Sequence, residues 1–156
     1  MKSPMNVSEV LLDMEQIRAL KARYFRFVDT KKWSDLRALF TDDATVLFIE
    51  GFDTPKPIEE GMTFITGVFD NAVVTIHNGH MPEIEILDAD NARAIWQMQD
   101  HLYWPSTRDN PLGISELHGA GHYHETYRRE NGEWRIATLK LTRLRRAVIP
   151  VATAHS

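Results

Sequence analysis

The sequence predicts an α+β domain, a strongly curved antiparallel or mixed sheet wrapped over helices that come first in the chain. Three observations carry that prediction. Near the N-terminus, Val10, Ile17, Leu20, Tyr24, Phe27 and Val28 recur at helical spacing. From residue 73 the periodicity changes to runs rich in β-formers, beginning with Val73, Val74, Thr75 and Ile76. Two tight-turn tetrapeptides, DADN at 88–91 and ENGE at 130–133, join alternating runs as hairpins.

The elements follow in order. Residues 9–28 read as a long amphipathic helix, with Ser8 as N-cap and Glu15, Arg18, Lys21 and Arg23 between the apolar positions. WSDLRALF gives a second, short helix capped by Ser34, and TDDATVLFIEG gives a turn and a strand at 45–49. FDTPKP is a loop. Pro57 then starts a third helix whose buried stripe is Ile58, Met62, Ile65 and Phe69. Strands are expected at 73–79, 82–87, 92–104, 118–129 and 134–146. The polar stretch at 105–116 is long for a hairpin and suits a lid or a subunit contact, as does the tail at 147–156. No repeat or linker interrupts the chain, so residues 1–156 read as one domain.

Composition removes several function classes. The 156 residues are 43% hydrophobic and 26% charged, enough for a core without staples. A net charge of −4 offers nothing to nucleic acid or to an anionic membrane. With no cysteine there is no disulfide, no Cys-ligated zinc and no thiol nucleophile. The N-terminus lacks the apolar segment of a signal peptide, and no apolar run approaches the roughly 18 residues of a membrane span. The expectation is a soluble, cytoplasmic protein.

Strand parity then singles out charges. Over 92–104 one face carries Ala94, Trp96, Met98, Asp100, Leu102 and Trp104, so a lone carboxylate sits on the apolar side. Over 134–146 the set Ala137, Leu139, Leu141 and Arg143 places a lone guanidinium inward if the leucines face the core. Buried charges are costly unless paired or used. Asp100 and Arg143 are thus either a structural ion pair or part of a pocket.

His77 interrupts an apolar strand in VVTIHNGH and has three readings, a core histidine, a metal ligand or a base. Asp29 closes the first helix, where a carboxylate opposes the dipole but also suits a C-terminal turn. His122 and His124 form an H-x-H on one strand face, a weak metal signal with no supporting glutamate spacing. His80, of opposite parity to His77, reads as structural. There is no Gly-rich phosphate loop and no G-x-S-x-G elbow, which argues against covalent serine catalysis.

Taken together, LKARYFRFVDTKKWSDLRALF, the TIHNGHMPEI stretch and the final hairpin GHYHETYRRENGEWRIATLKLTRLR resemble the SnoaL-like branch of the nuclear transport factor 2-like superfamily. Within it the motifs are most similar to scytalone dehydratase and bile acid 7α-dehydratase, over about residues 12–146. The resemblance implies a cone of curved sheet, an α+β barrel, closed by helices around a deep apolar pocket. It implies a catalytic Tyr24, Asp29 and His77, with Asp100 and Arg143 lining the pocket. It sets His101 nearest a second pocket histidine, one residue off the apolar face, so that only a bulge would turn it in. The serine and asparagine of the scytalone dehydratase pattern fall here at Gly121 and Tyr123, so scytalone itself is not the expected substrate.

The implied activity is a cofactor-free, metal-free lyase, a dehydratase acting on a hydrophobic aromatic or polycyclic small molecule. Trp96, Trp104, Phe48, Tyr123, Phe64, Met98 and Leu102 would shape its pocket. Alternatives on the same fold are a C–C lyase releasing formaldehyde from an aryl-propane diol, an isomerase, an epoxide hydrolase and a non-catalytic binding module. The resemblance also implies a homo-oligomer, a trimer by analogy.

Overall fold

The computed structural model describes residues 6–105 and 113–151. Among these described residues, three helices precede or interrupt a six-stranded, unclosed, curved sheet. The helices are α1 (Val7–Asp29), α2 (Trp33–Arg37) and α3 (Ile58–Val68). The strands are β1 (Phe40–Leu47), β2 (Lys56–Pro57), β3 (Val74–Ile86), β4 (Asn91–Tyr103), β5 (Ile114–Glu130) and β6 (Glu133–Pro150). Their order is β2-β1-β6-β5-β4-β3; β1 runs parallel to β6 and every other pairing is antiparallel.

Helix α1 starts two residues before the expected point, because Asn6 rather than Ser8 is the cap: its side chain accepts from the Ser8 N–H at 3.0 Å. The buried stripe is Asp13, Ile17, Leu20, Lys21, Tyr24 and Val28. Lys21, expected on the polar side, is fully buried because it lies four residues after Ile17 and three before Tyr24. Ser34 is not a cap; α2 begins at Trp33 behind Lys32, with no side-chain cap bond.

Strand β1 begins at Phe40, earlier than the expected 45–49, because the Phe40–Thr41 pair is already buried against β6. The two strands expected at 73–79 and 82–87 are one strand, β3, whose register slips between Gly79 and Pro82. Pro82 removes a ladder donor there, and the slip keeps Thr75 and His77 on the same face as Ile84 and Ile86. Both final strands are longer than expected. Residues 114–116 of the presumed loop belong to β5 and residues 147–150 of the presumed tail belong to β6; 106–112 and 152–156 lie outside the described residues.

Alternation on β4 is strict: Ala92, Ala94, Trp96, Met98, Asp100 and Leu102 are all buried. On β6 it is not. Trp134 and Ile136 face in, and a slip in pairing between Thr126 and Tyr127 of β5 leaves Ala137 unpaired opposite them. Beyond the slip Leu139, Leu141 and Arg143 face in, so Ile136 shares the core with the leucine set. The main core lies between the sheet and α1. A smaller cluster around Val68, Leu102, Trp104 and Leu117 closes one end. Among the described residues no helix is long and apolar enough to cross a membrane.

Candidate active site

Helix α1 ends in a Schellman turn that aims Asp29. The Lys32 N–H bonds the Phe27 carbonyl at 2.9 Å and the Lys31 N–H bonds the Val28 carbonyl at 3.2 Å. Lys31 therefore adopts φ 58°, a left-handed conformation uncommon for a residue with a Cβ. Its ammonium reaches across to Thr75 Oγ1 at 2.7 Å, which gives the strained residue a tether to β3. Partial burial lowers the Lys31 pKa, opposed by the nearby Asp29 and Asp70.

The Asp29 carboxylate accepts three hydrogen bonds from β3. Its Oδ1 takes His77 Nδ1 at 2.7 Å and Thr75 Oγ1 at 2.9 Å, and its Oδ2 takes the His77 backbone N–H at 2.9 Å. A carboxylate acceptor assigns the proton to Nδ1 and leaves Nε2 as the nitrogen available to a ligand. The Phe25 ring lies parallel to His77 at 6.5 Å and the Phe69 edge at 6.2 Å. Phe25 fits only because Gly79 has no side chain; a Cβ there would lie 2.3 Å from the ring.

His77 pairs in register with Asp100 of β4, so the two side chains stand side by side on the inner face. Arg143 Nη1 and Nη2 donate to the two Asp100 oxygens at 2.7 and 2.8 Å, a fork-on-fork pair. Gly119 lies between them on β5, and the guanidinium crosses the space that its side chain would fill. Arg143 also donates from Nε to Glu50 Oε1 at 2.8 Å, and its Nη2 lies 2.7 Å from the same oxygen as an ion-pair contact. Burial opposes the Arg143 charge, yet the Asp100 bonds and the charges of Asp100 and Glu50 hold its pKa above the ordinary value.

Tyr24 stands on α1 with its ring edge-on to Phe40 and Tyr123. Burial, then the Glu125 charge, raises its pKa, with a hydrogen bond to Tyr123 working the other way. Tyr24 thus stays a hydroxyl donor at any physiological pH. Beneath these rings lies a buried network. Lys21 forms an ion pair with Glu125 while its ammonium sits 3.8 Å from the Tyr24 ring centroid and 3.7 Å from that of Tyr123. Glu125 also accepts from the Tyr127 hydroxyl, which accepts from Trp96 Nε1 at 2.9 Å.

These groups surround a cavity of about 50 Å³ lined by Tyr24, Phe48, Glu50, Phe64, His77, Asp100, Leu102, Tyr123, Leu141 and Arg143, among others. A larger open groove of about 710 Å³ runs along Glu83, Arg93, His124 and Lys140, away from His77. The small cavity is the candidate site because polar groups from five elements, α1, β3, β4, β5 and β6, converge on it.

The structure brings Tyr24, Asp29, His77, Asp100, Arg143, Phe48 and Tyr123 to this one place. It sets three expected residues elsewhere. His101 lies on the outer face, Nδ1 to Nδ1 2.7 Å from His118, because β4 pairs regularly through that point and the slip falls in β3 instead. Trp96 belongs to the buried network below the cavity. Trp104 lies just past the end of β4 in the smaller cluster, its Nε1 bonded to the Val68 carbonyl at 3.2 Å. His122 and His124 share the outer face, and no group of three or more metal-ligating side chains occurs among the described residues. Thr75 and Glu50 were missed. Thr75 was legible from its parity with His77; Glu50, on an irregular turn, carried no signal.

A pocketed α+β cone with a histidine–aspartate pair at its wall is the class that this geometry defines. The SnoaL-like domain model matches residues 9–140, and the chain belongs to that family. A probable cyclase of Gibberella zeae is 28% identical over 137 residues, spanning 82% of this chain and 89% of that protein. Among solved structures, a putative scytalone dehydratase of Novosphingobium aromaticivorans superposes with TM-score 0.75 at 18% identity, covering 96% of this chain and all (100%) of that one. A hexachlorocyclohexane dehydrochlorinase of Novosphingobium barchaimii gives 0.72 at 20% identity, covering 97% and 98%. The last two establish the shared fold.

Proposed function

We propose that the protein is a cofactor-free lyase that eliminates water from a hydrophobic aromatic or polycyclic substrate. The observation that carries this reading is the 2.7 Å bond between His77 Nδ1 and Asp29 beside an apolar cavity. Asp29 fixes the tautomer and stabilises the imidazolium that forms. His77 Nε2 takes a proton from the carbon next to the one bearing the hydroxyl. The C–H electron pair forms the new double bond as the C–O bond breaks, and the imidazolium returns its proton to the departing oxygen, which leaves as water. Tyr24, kept protonated by its surroundings, donates a hydrogen bond to the substrate carbonyl or the leaving oxygen without ionising.

The experiment is incubation of the protein with aryl-diol and hydroxysteroid candidates, with products followed by mass spectrometry. Loss of water supports the reading; release of formaldehyde from an aryl-propane diol would replace it with C–C cleavage. A second reading is cyclisation, favoured by the name of the Gibberella zeae relative. The same base would then create a carbanion that attacks within the substrate, and the product would keep the substrate's mass.

A further inference from the structure

The Arg143 guanidinium holds two carboxylates in unequal ways. Asp100, 2% exposed on a central strand, uses both oxygens on the Nη1–Nη2 edge. Glu50 places a single oxygen on the Nε–Nη2 edge. Glu50 sits on the turn at 48–52, where the Gly51 and Phe52 N–H groups both bond the Phe48 carbonyl at 2.9 Å. That turn follows the last ladder pair of β1, so no sheet bond holds Glu50 itself.

The cavity of about 50 Å³ has room for one or two waters, whereas a dry cavity that takes a benzene ring measures on the order of 150 Å³. An aromatic occupant therefore displaces part of the wall. The sheet side is fixed by its ladders, and α1 is fixed by Asp29 and by the Lys21–Glu125 pair. The turn bearing Glu50 has no ladder bond; it packs through Phe48 and Phe52 against Phe64 of α3, so ring contacts rather than sheet hydrogen bonds hold this part of the wall. Lifting it leaves the Nε–H of Arg143 without its acceptor and the Nε–Nη2 edge without its counter-charge, a loss that the occupant has to make good. A carboxylate does so at unchanged local charge, one anion for another, and with the bidentate geometry that guanidinium favours.

We propose that Glu50 is a displaceable counter-ion and that the site takes flat aromatic acids, whose carboxylate replaces Glu50 on Arg143. The inference rests on the reading of this cavity as the substrate site. The ring of such an acid would lie along Phe48, Phe64 and Leu102. Its acidic end would sit beside Asp100 and hence next to His77, the register partner of Asp100.

The test uses 2-naphthoate and the neutral, isosteric 2-naphthamide, titrated calorimetrically into the wild-type protein and the Glu50→Gln variant. The expected result is naphthoate binding at least about tenfold tighter than naphthamide. Glu50→Gln should tighten naphthoate by a further order of magnitude or so and leave naphthamide within about twofold, because the resident anion is gone. A crystal structure of the wild-type protein with naphthoate, showing its carboxylate on Arg143 Nε and Nη2 and Glu50 turned outward, supports the same conclusion should the variant fail to fold. Equal affinity for the two ligands, no gain in Glu50→Gln, or naphthoate bound with the Glu50–Arg143 contact intact overturns the inference and spares the pocket reading. Absence of binding by either ligand at millimolar concentration overturns both.

Discussion

His77 receives two kinds of support from Asp29: its ring Nδ1 at 2.7 Å and its own backbone N–H at 2.9 Å meet the two oxygens of one carboxylate. Ring orientation and main-chain position are thus set by one residue on another element. Asp29→Asn keeps the shape but offers Nδ1 an amide that serves equally as donor or acceptor. Turnover should fall by about 10²–10⁴-fold, with His77→Ala at least as severe. Steady-state kinetics with an identified substrate, together with circular dichroism to show the fold retained, checks this; near wild-type rates in either variant would sink the mechanism.

Tyr24→Phe should lower kcat with little change in KM, because in the proposed elimination the lost hydroxyl acts on charge that develops as the C–O bond breaks. The pH–rate profile of the wild-type protein should show no alkaline limb belonging to Tyr24 below pH ~10, since burial raises its pKa above the ordinary value. A Tyr24-dependent limb near neutrality would contradict the assignment of a donor that stays protonated.

Gly119→Ala tests the Asp100–Arg143 pair without touching either charge. The added methyl would lie 2.2 Å from Arg143 Nη1 and 2.4 Å from Asp100 Oδ1, so one partner has to move. A loss of about 1–3 kcal/mol in denaturant unfolding is expected. Asp100→Asn, which leaves the buried guanidinium underpaired, should cost about 3–5 kcal/mol.

The Lys21–Glu125 pair has a pH signature. Burial lowers the Lys21 pKa from 10.5 to about 8, with Glu125 opposing. Between these values the unfolded chain binds more protons at this site than the folded one, so the Lys21 contribution to stability rises with pH. Below pH ~8 the cost of burying the charge is present in full. The ordinary range of tyrosine sets the upper end of the window, because burial raises Tyr123 and Tyr127 and their contribution falls as pH climbs past about 10. Urea midpoints from about pH 7.5 to 9.5 should therefore rise for the wild-type protein relative to Lys21→Met/Glu125→Leu, which lacks both charges. Lys21→Met alone should cost about 3–5 kcal/mol, and the double variant should recover most of it.

Much of the inner surface was legible because β4 alternates without interruption. A carboxylate at position 100 could face only inward, and its partner had to come from another strand. Lys21 was not legible, although its spacing from Ile17 and Tyr24 put it on the buried stripe. A lysine is almost never fully buried unless paired, and its partner Glu125 lies 104 residues away. Ala137 hid its slip for a different reason. Ile136, Thr138 and Leu139 are acceptable on either face of a strand, so parity alone could not reveal where the alternation shifts. His101 depended on where a bulge fell, and the sequence left that open; the slip went to Gly79–Pro82, where a proline already breaks the ladder.

β3 is one of the two edge strands of the sheet and, among the described residues, pairs with β4 alone. Val74, Ile76 and Met81 stand exposed along it. Such borders invite pairing with other chains, and folded proteins usually guard them. Here the guard is Asp29, whose bonds tie Thr75 and His77 to the end of α1. Orienting the proposed base and restraining the sheet border are therefore one interaction. A lineage that gave up this chemistry by losing Asp29 would also loosen a sticky margin, so selection against aggregation would retain the carboxylate even where selection for turnover had lapsed.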